Sequence, residues 1–284
     1  MRLLTRIVFF AAFSVLTAFN AAAQNKGVLL ADLTWQQAEK VLTSATVVVI
    51  PLGAESKEHG PHLKLNADYA QAEYFKKEVI KNENVVVAPT LNYGYYPAFT
   101  DYPGSVSLSI ETSRDTVVEI CRALAKFGPH RFYILNMGIS TIVPLQQARD
   151  VLSREGIILA YTGQENTYLN TLSTKPAAEP AQRKAATEGE IVGTHAHEWE
   201  TSVLLFIDPE NVDMSKAVKD YHPSNLPGLR KFTRDANTPG TYSSSGVFGD
   251  ATLATKEKGE KFVGGDLRHI LNDIETLKKL GSHE

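Results

Sequence analysis

The sequence predicts an α/β fold built on a mostly parallel sheet with both faces covered. Three observations lead there. Short apolar runs rich in β-branched residues recur along the chain, segments of helical period separate them, and loops rich in glycine, proline, histidine or aromatic residues follow the runs. Strands joined by helices of this length imply right-handed crossovers, and ligands of such sheets sit beyond the carboxyl ends of the strands.

The elements follow in order. Thr34 to Leu42 reads as a short helix with Thr34 as N-cap. Thr46 to Pro51 (TVVVIP) is a continuous apolar strand of the kind buried on both faces of a parallel sheet. After the loop Gly53 to Asp68, the spacing of Ala70, Ala72, Phe75, Val79 and Ile80 predicts a helix over Tyr69 to Lys81. Val85 to Ala88 is a second strand, followed by an aromatic loop from Asn92 to Tyr102. An amphipathic helix over Thr112 to Phe127 ends at Gly128-Pro129. Arg131 to Leu135 is a third strand, Ile142 to Glu155 a helix, and Ile157 to Tyr161 a fourth strand. Ser173 to Glu188 is a polar excursion, a helix begins near His197, and Lys256 to Leu280 closes the chain as a helix. No internal repeat is evident.

The N-terminus reads as an address. Met1 to Arg6 is short and basic, Ile7 to Phe19 is apolar, and Ala21-Ala22-Ala23 precedes Gln24. This is the pattern of a secretory signal, so residues 1–23 are expected to be a signal peptide and 24–284 a single domain, exported to the periplasm or secreted. The apolar run is short for a membrane span, and no later segment matches it, so no membrane attachment is expected after cleavage. A net charge of −3 without a Lys/Arg-rich block speaks against a nucleic-acid surface. Cys121 is the single cysteine, which excludes an intrachain disulfide; its place on the apolar side of a helical pattern marks it as a buried thiol rather than a nucleophile.

Chemistry concentrates in two segments. Gly53 to Asp68 (GAESKEHGPHLKLNAD) packs histidines and carboxylates around a rigid Gly60-Pro61 pair at a strand end. The second segment supplies His195, His197, Glu198 and Glu200 just before an apolar run. Carboxylates and imidazoles without thiolates suit a hard or borderline divalent ion such as Zn²⁺ or Mn²⁺. A metal at His59 and Asp68 would polarise a carbonyl and activate water as nucleophile, with Glu200 or His195 carrying the proton to a leaving nitrogen. That chemistry is metal-assisted hydrolysis of a C–N bond. The serines lack a Gly-x-Ser-x-Gly context, and no Walker or Gly-x-Gly-x-x-Gly loop is present.

These motifs resemble those of the creatininase (creatinine amidohydrolase) family. Glu58-His59-Gly60-Pro61-His62-Leu63 with Asp68 matches its first motif. Pro103-Gly104-Ser105-Val106-Ser107-Leu108 matches its Pro-Gly-Thr-Ile/Leu-Ser-Leu, and His195-Ala196-His197 with Glu200-Thr201-Ser202 its His-Ala-Gly-x-x-Glu-Thr-Ser. Gly246, Gly249, Asp250, Ala254, Thr255 and Gly259 match the tail. The resemblance implies a three-layer α/β/α fold, a homo-oligomer that is usually a hexamer, one or two divalent ions (Zn²⁺ or Mn²⁺, with Fe²⁺ as a further option), and a small-molecule amide or cyclic amide as substrate. It implies His59 and Asp68 as ligands, and His195 and Glu200 on the substrate and proton-transfer side.

Two departures stand out. The family glutamate two residues before its histidine is Lys57 here, so Glu58 or Glu55 has to substitute, with Glu58 preferred for its place beside the Gly-Pro turn. The family turn Asn-Gly-His-Gly-Gly-Asn is Asn136-Met137-Gly138-Ile139-Ser140-Thr141, which removes its histidine and glutamate ligands; His197 is the candidate replacement. The expected metal set is therefore Glu58, His59, Asp68 and His197, with His195 and Glu200 catalytic and Tyr96 and Trp199 at the substrate. Creatinine itself is disfavoured by the missing turn. The alternative is a catalytically silent binding protein that keeps the fold and pocket aromatics such as Tyr93, Tyr95, Tyr96, Phe99 and Trp199.

Overall fold

A computed structural model describes residues 25–163, 195–220, 232–238 and 240–280. The expected signal peptide and the excursion from Ser173 to Glu188 lie outside the described residues. Five strands form one parallel sheet: Val28–Leu29 (β1), Val47–Leu52 (β2), Val86–Val87 (β3), Arg131–Asn136 (β4) and Ile158–Tyr161 (β5). Their order is β1-β3-β2-β4-β5, with every pairing parallel. β1 has no counterpart among the expected strands. It is two residues long, too short for a hydrophobic period to reveal.

β2 and β4 form the centre, paired from Val47 with Arg131 to Leu52 with Asn136. Both strands are buried at every position, as continuous apolar runs require. Alternate side chains enter two cores. Val47, Val49, Tyr133 and Leu135 pack against helices Ala67–Asn82 (α2), Glu198–Ile207 (α5) and Lys256–Lys279 (α6). Val48, Ile50, Phe132 and Ile134 pack against Ile110–Ala125 (α3) and Ile142–Ser153 (α4), with Trp35–Val41 (α1) at the margin. The fold is thus a three-layer α/β/α arrangement. Cys121 lies in this second core, and burial pushes its thiol well above the usual range.

Helix starts follow local chemistry. Thr34 and Gln37 form a capping box on α1, Ser109 accepts the Thr112 N–H at the start of α3, and Thr255 accepts the Lys258 N–H at the start of α6. Gly259 is fixed by a close approach: a Cβ there would lie 1.9 Å from the Ser202 carbonyl oxygen. This glycine lets α6 press on α5, and the Thr255 N–H bonds the Ser202 hydroxyl at the same crossing. At the other end of α6, buried Arg131 donates to the Lys278 and Leu280 carbonyls and to Ser44 O. The guanidinium takes up carbonyls that the helix end leaves open.

The strand order places the site. From β2 the chain crosses to β3 on one side, then returns past β2 to β4 on the other. The loops after β2 and β4 flank that reversal, where open α/β sheets form a crevice. Backbone bonds join the three loop starts: Met137 N–H donates to Leu52 O and Gly53 N–H to Leu91 O, both at 3.0 Å.

One buried carboxyl in α6 makes folding pH-dependent. Burial pushes Asp273 up to about 6, against the opposing influence of His269 (3.5 Å) and the Tyr133 hydroxyl (3.1 Å). Its folded pKa lies above the usual 3.8, so the folded state holds this proton more tightly than the unfolded chain does. This contribution is complete below about pH 4 and is lost as pH rises through 6. Asp273→Asn is expected to be more stable than the parent by about 2 kcal/mol at pH 8, with little gain at pH 4, in denaturant unfolding at both values. Equal loss of stability at both pH values would show that the acid itself is required.

Candidate active site

The loop from Gly53 to Asp68 is pinned by the segment from Pro103 to Leu108. Ser56 Oγ donates to Gly104 O at 2.6 Å, the Glu58 N–H to Ser105 Oγ at 3.0 Å, and the Val106 N–H to Ser56 O at 2.9 Å. So held, Lys57, Glu58, His59, His62 and Asp68 are all buried. Each charge must then be paired.

Asp68, in the first turn of α2, is fully buried between two partners. Its Oδ1 lies 2.8 Å from His59 Nε2, and its Oδ2 lies 2.6 Å from Lys57 Nζ, at an angle that is not that of a hydrogen bond. Burial alone would raise its pKa, but the Lys57 ammonium and His59 outweigh burial and hold it below the usual value. His59 Nδ1 lies 2.9 Å from Lys57 O, which can only accept. Nδ1 is therefore the N–H donor of this ring, and Nε2 is the nitrogen that faces Asp68 and the centre.

The second segment enters opposite. His195 is bridged to Phe248 by backbone pairing, N to O at 3.3 Å and O to N at 2.9 Å. Its ring is packed by Phe99, Phe232 and His59. His195 Nε2 meets Glu58 Oε1 at 2.8 Å and Glu58 O at 2.9 Å, so Nε2 is the N–H donor and Nδ1 faces Glu200 Oε2 at 3.8 Å. Glu58 Oε2 takes the Gly60 N–H at 2.8 Å. Ala196 stands at φ +50°, a left-handed conformation strained for alanine, and its N–H bonds to the Glu200 carboxylate. Burial raises the pKa of Glu200, but the neighbouring histidines and Lys57 hold it well below the usual carboxylate range. His62 Nε2 meets Thr201 Oγ1 at 2.8 Å, which ties the first segment to α5; burial lowers its pKa to about 4.

Nitrogen and oxygen atoms of His59, His195 and Glu200 all lie within 4.8 Å of one another, a set that could hold a metal ion. The grouping differs from the expected ligand set, of which His59 alone belongs to it. Glu58 and Asp68 stand beside this group, Glu58 against His195 and Gly60, Asp68 against His59 and Lys57. His195 and Glu200, expected on the catalytic side, supply the other two donors. His197 caps α5 with its buried Nδ1 lacking a hydrogen-bond partner, 3.8 Å from Glu200 Oε2. At that distance His197 helps to hold the Glu200 carboxylate ionised.

A cavity of about 510 Å³ opens over this centre. Lys57, His195, His197, Glu200, Phe99 and Trp199 are among its lining, with Met137 to Ser140 and residues of α6 opposite. Trp199 therefore meets the space where a substrate would lie. Tyr96 does not line it: the ring is buried beneath Gly138 and lies 5.5 Å from Lys57 Nζ. The turn after β4 is closed by Asn136, which bonds Gly138 O, and it offers no ionisable ligand. Sequence reasoning treated Lys57 only as a missing glutamate and gave Phe99 and Phe232 no part around His195. A lysine set directly beside Glu58 and His59 is the signal for the first; nothing local points to Phe232.

Fold and site together define a class: a three-layer α/β protein with a His/carboxylate centre at the reversal of its parallel sheet. Residues 31–271 match the family model described as Creatininase: Creatinine amidohydrolase. The chain belongs to the creatininase family. It is 30% identical over 247 residues to creatinine amidohydrolase of Pseudomonas putida, covering 83% of this chain and 92% of that protein. It is 26% identical to the mycofactocin precursor peptide peptidase of Mycolicibacterium smegmatis, over 76% and 78% of the two chains. Among solved structures, a manganese creatininase superposes with a TM-score of 0.69 at 25% identity, covering 88% of this chain and 98% of that one. A Zn-Zn type creatininase mutant gives 0.67 at 25% identity over 88% and 97%. The relatives named here are an amidohydrolase and a peptidase, both hydrolases of C–N bonds.

The tail glycine matched by the family motif holds Glu58 in place. A Cβ on Gly246, whose φ is +84°, would lie 2.1 Å from Glu58 Oε2. Gly246→Ala is expected to displace Glu58 from His195 and to cost about 1–3 kcal/mol from backbone strain and the lost buried pair. Unfolding curves together with the His195 imidazole NMR signals check this. Parent-like stability with unchanged His195 signals would contradict it.

Proposed function

We propose that this chain hydrolyses an amide or cyclic amide C–N bond, with one divalent ion, Zn²⁺ or Mn²⁺, held by His59, His195 and Glu200. The observation that carries this reading is the convergence of those three donors, two of which, His195 and Glu200, line the cavity, in a creatininase-family chain. Such an ion supplies Lewis-acid polarisation of a carbonyl and a water acidic enough to attack it near neutral pH.

The protein's own groups do the rest. Glu58 fixes the His195 tautomer by accepting from Nε2, which leaves Nδ1 as the donor atom toward the centre. Glu200 is ionised at neutral pH and takes the Ala196 N–H, which orients its carboxylate. His197 lines the cavity wall beside Glu200. Phe75, Phe99, Trp199 and Phe262 give that wall an apolar surface that excludes water around the scissile bond. The cavity suits a small-molecule amide with an apolar part. Export through the N-terminal signal and assembly into a homo-oligomer belong to the same proposal, supported by the leader pattern and by the family resemblance.

The test is metal analysis of purified protein together with hydrolysis of a panel of amides, lactams and short peptides in Zn²⁺ or Mn²⁺. Bound metal and turnover are expected, with His59→Ala and Glu200→Gln each lowering kcat/KM by about 10²-fold or more. Protein that binds no divalent ion and turns over nothing in the panel would sink the reading.

A further inference from the structure

Lys57 is the one cation placed at the centre by the loop itself. Its side chain is 5% exposed, yet it lines the cavity, and its ammonium lies 2.6 Å from Asp68 Oδ2. Tyr96 and Phe99 flank it, with ring centroids 5.5 and 5.0 Å from Nζ. Main-chain bonds fix its position: its N–H donates to Leu65 O at 3.1 Å, and its carbonyl accepts from His59 Nδ1. The lysine is thus tied to a member of the metal-capable set.

We propose that Lys57 is a permanent cation of this site, taking the place beside Asp68 that a second divalent ion would otherwise occupy. The inference rests on the metal reading above and adds the number of ions and the role of Asp68. Asp68 stands beside His59, carries a carboxylate of the right hardness for Zn²⁺ or Mn²⁺, and is fully buried. Its Oδ2 already faces the Lys57 ammonium. A divalent ion at Oδ2 would meet strong repulsion from the ammonium, since two positive centres at ion-pair distance in a buried pocket are barely screened. This places Lys57 as a charge that neutralises Asp68 at the cavity wall.

The test compares the parent with Lys57→Glu and Lys57→Met by Mn²⁺ titration of metal-free protein, with bound metal counted by elemental analysis. The parent is expected to bind about one ion per chain and Lys57→Glu about two, as a second carboxylate joins Asp68. A rise of one ion on loss of the lysine supports the inference whatever the parent value. A parent that binds none while the variant binds one would keep this inference and refute the metal-hydrolase reading. Equal ion counts in parent and variant overturn the inference. If Lys57→Glu does not fold, Lys57→Met decides by thermal melting. It keeps the apolar stem between Tyr96 and Phe99, so its metal-free Tm should fall by roughly 6–12 °C and Mn²⁺ should raise it by more than it raises the parent's. A Mn²⁺-induced shift no larger than the parent's overturns the inference.

Discussion

Four demands for charge pairing within one loop organise this molecule. Lys57, Glu58, His59 and Asp68 are 4%, 6%, 0% and 0% exposed, so the loop after β2 can only be buried if each group finds a partner. Lys57 and His59 meet Asp68 within the first segment, but Glu58 has no partner there beyond the Gly60 N–H. It requires His195 from a segment 137 residues away. The neighbouring histidine, His62, likewise requires Thr201. The site is therefore not an attachment to a finished fold: α5 docks where it does partly because these buried polar atoms need it.

The same demand explains features that look incidental along the chain. Ala196 accepts a left-handed backbone because its N–H must reach Glu200 while His195 reaches Glu58. Gly246 leaves room for the Glu58 carboxylate, and Gly259 leaves room for α6 to press on α5 behind it. Aromatic rings from two distant segments, Phe99 and Phe232, stack at 5.2 Å and close over His195, which removes solvent from that side. Fully paired, such a network specifies one arrangement; half paired, it would be costlier than an apolar core.

Most of the scaffold was legible without coordinates. The run over Val47 to Leu52 has no polar residue to place at a surface, so it had to be a central strand. The helices α2, α3, α4 and α6 each differ from their expected bounds by only a few residues. β1 escaped because two residues carry no period; it is a strand only through its pairing with β3. At the site, the two segments and their residue types could be read, but not which atoms face inward. Tyr96 shows the difference: an aromatic residue in a rim loop is equally compatible with stacking on a ligand and with packing under Gly138, and here it packs.

By itself, then, the sequence determined the order of strands and helices, the two chemical segments, and the family to which their motifs belong, because periodicity and motif spacing are local properties. Only the tertiary structure decided how those residues are paired. Glu58 and Asp68, expected as ligands, are turned to His195, Gly60, His59 and Lys57. His195 and Glu200, expected on the proton-transfer side, come together with His59. The reason is electrostatic and long-range. Which carboxylate stays free for a ligand depends on which cations the fold brings within about 3 Å of it, and no spacing along the chain encodes that distance.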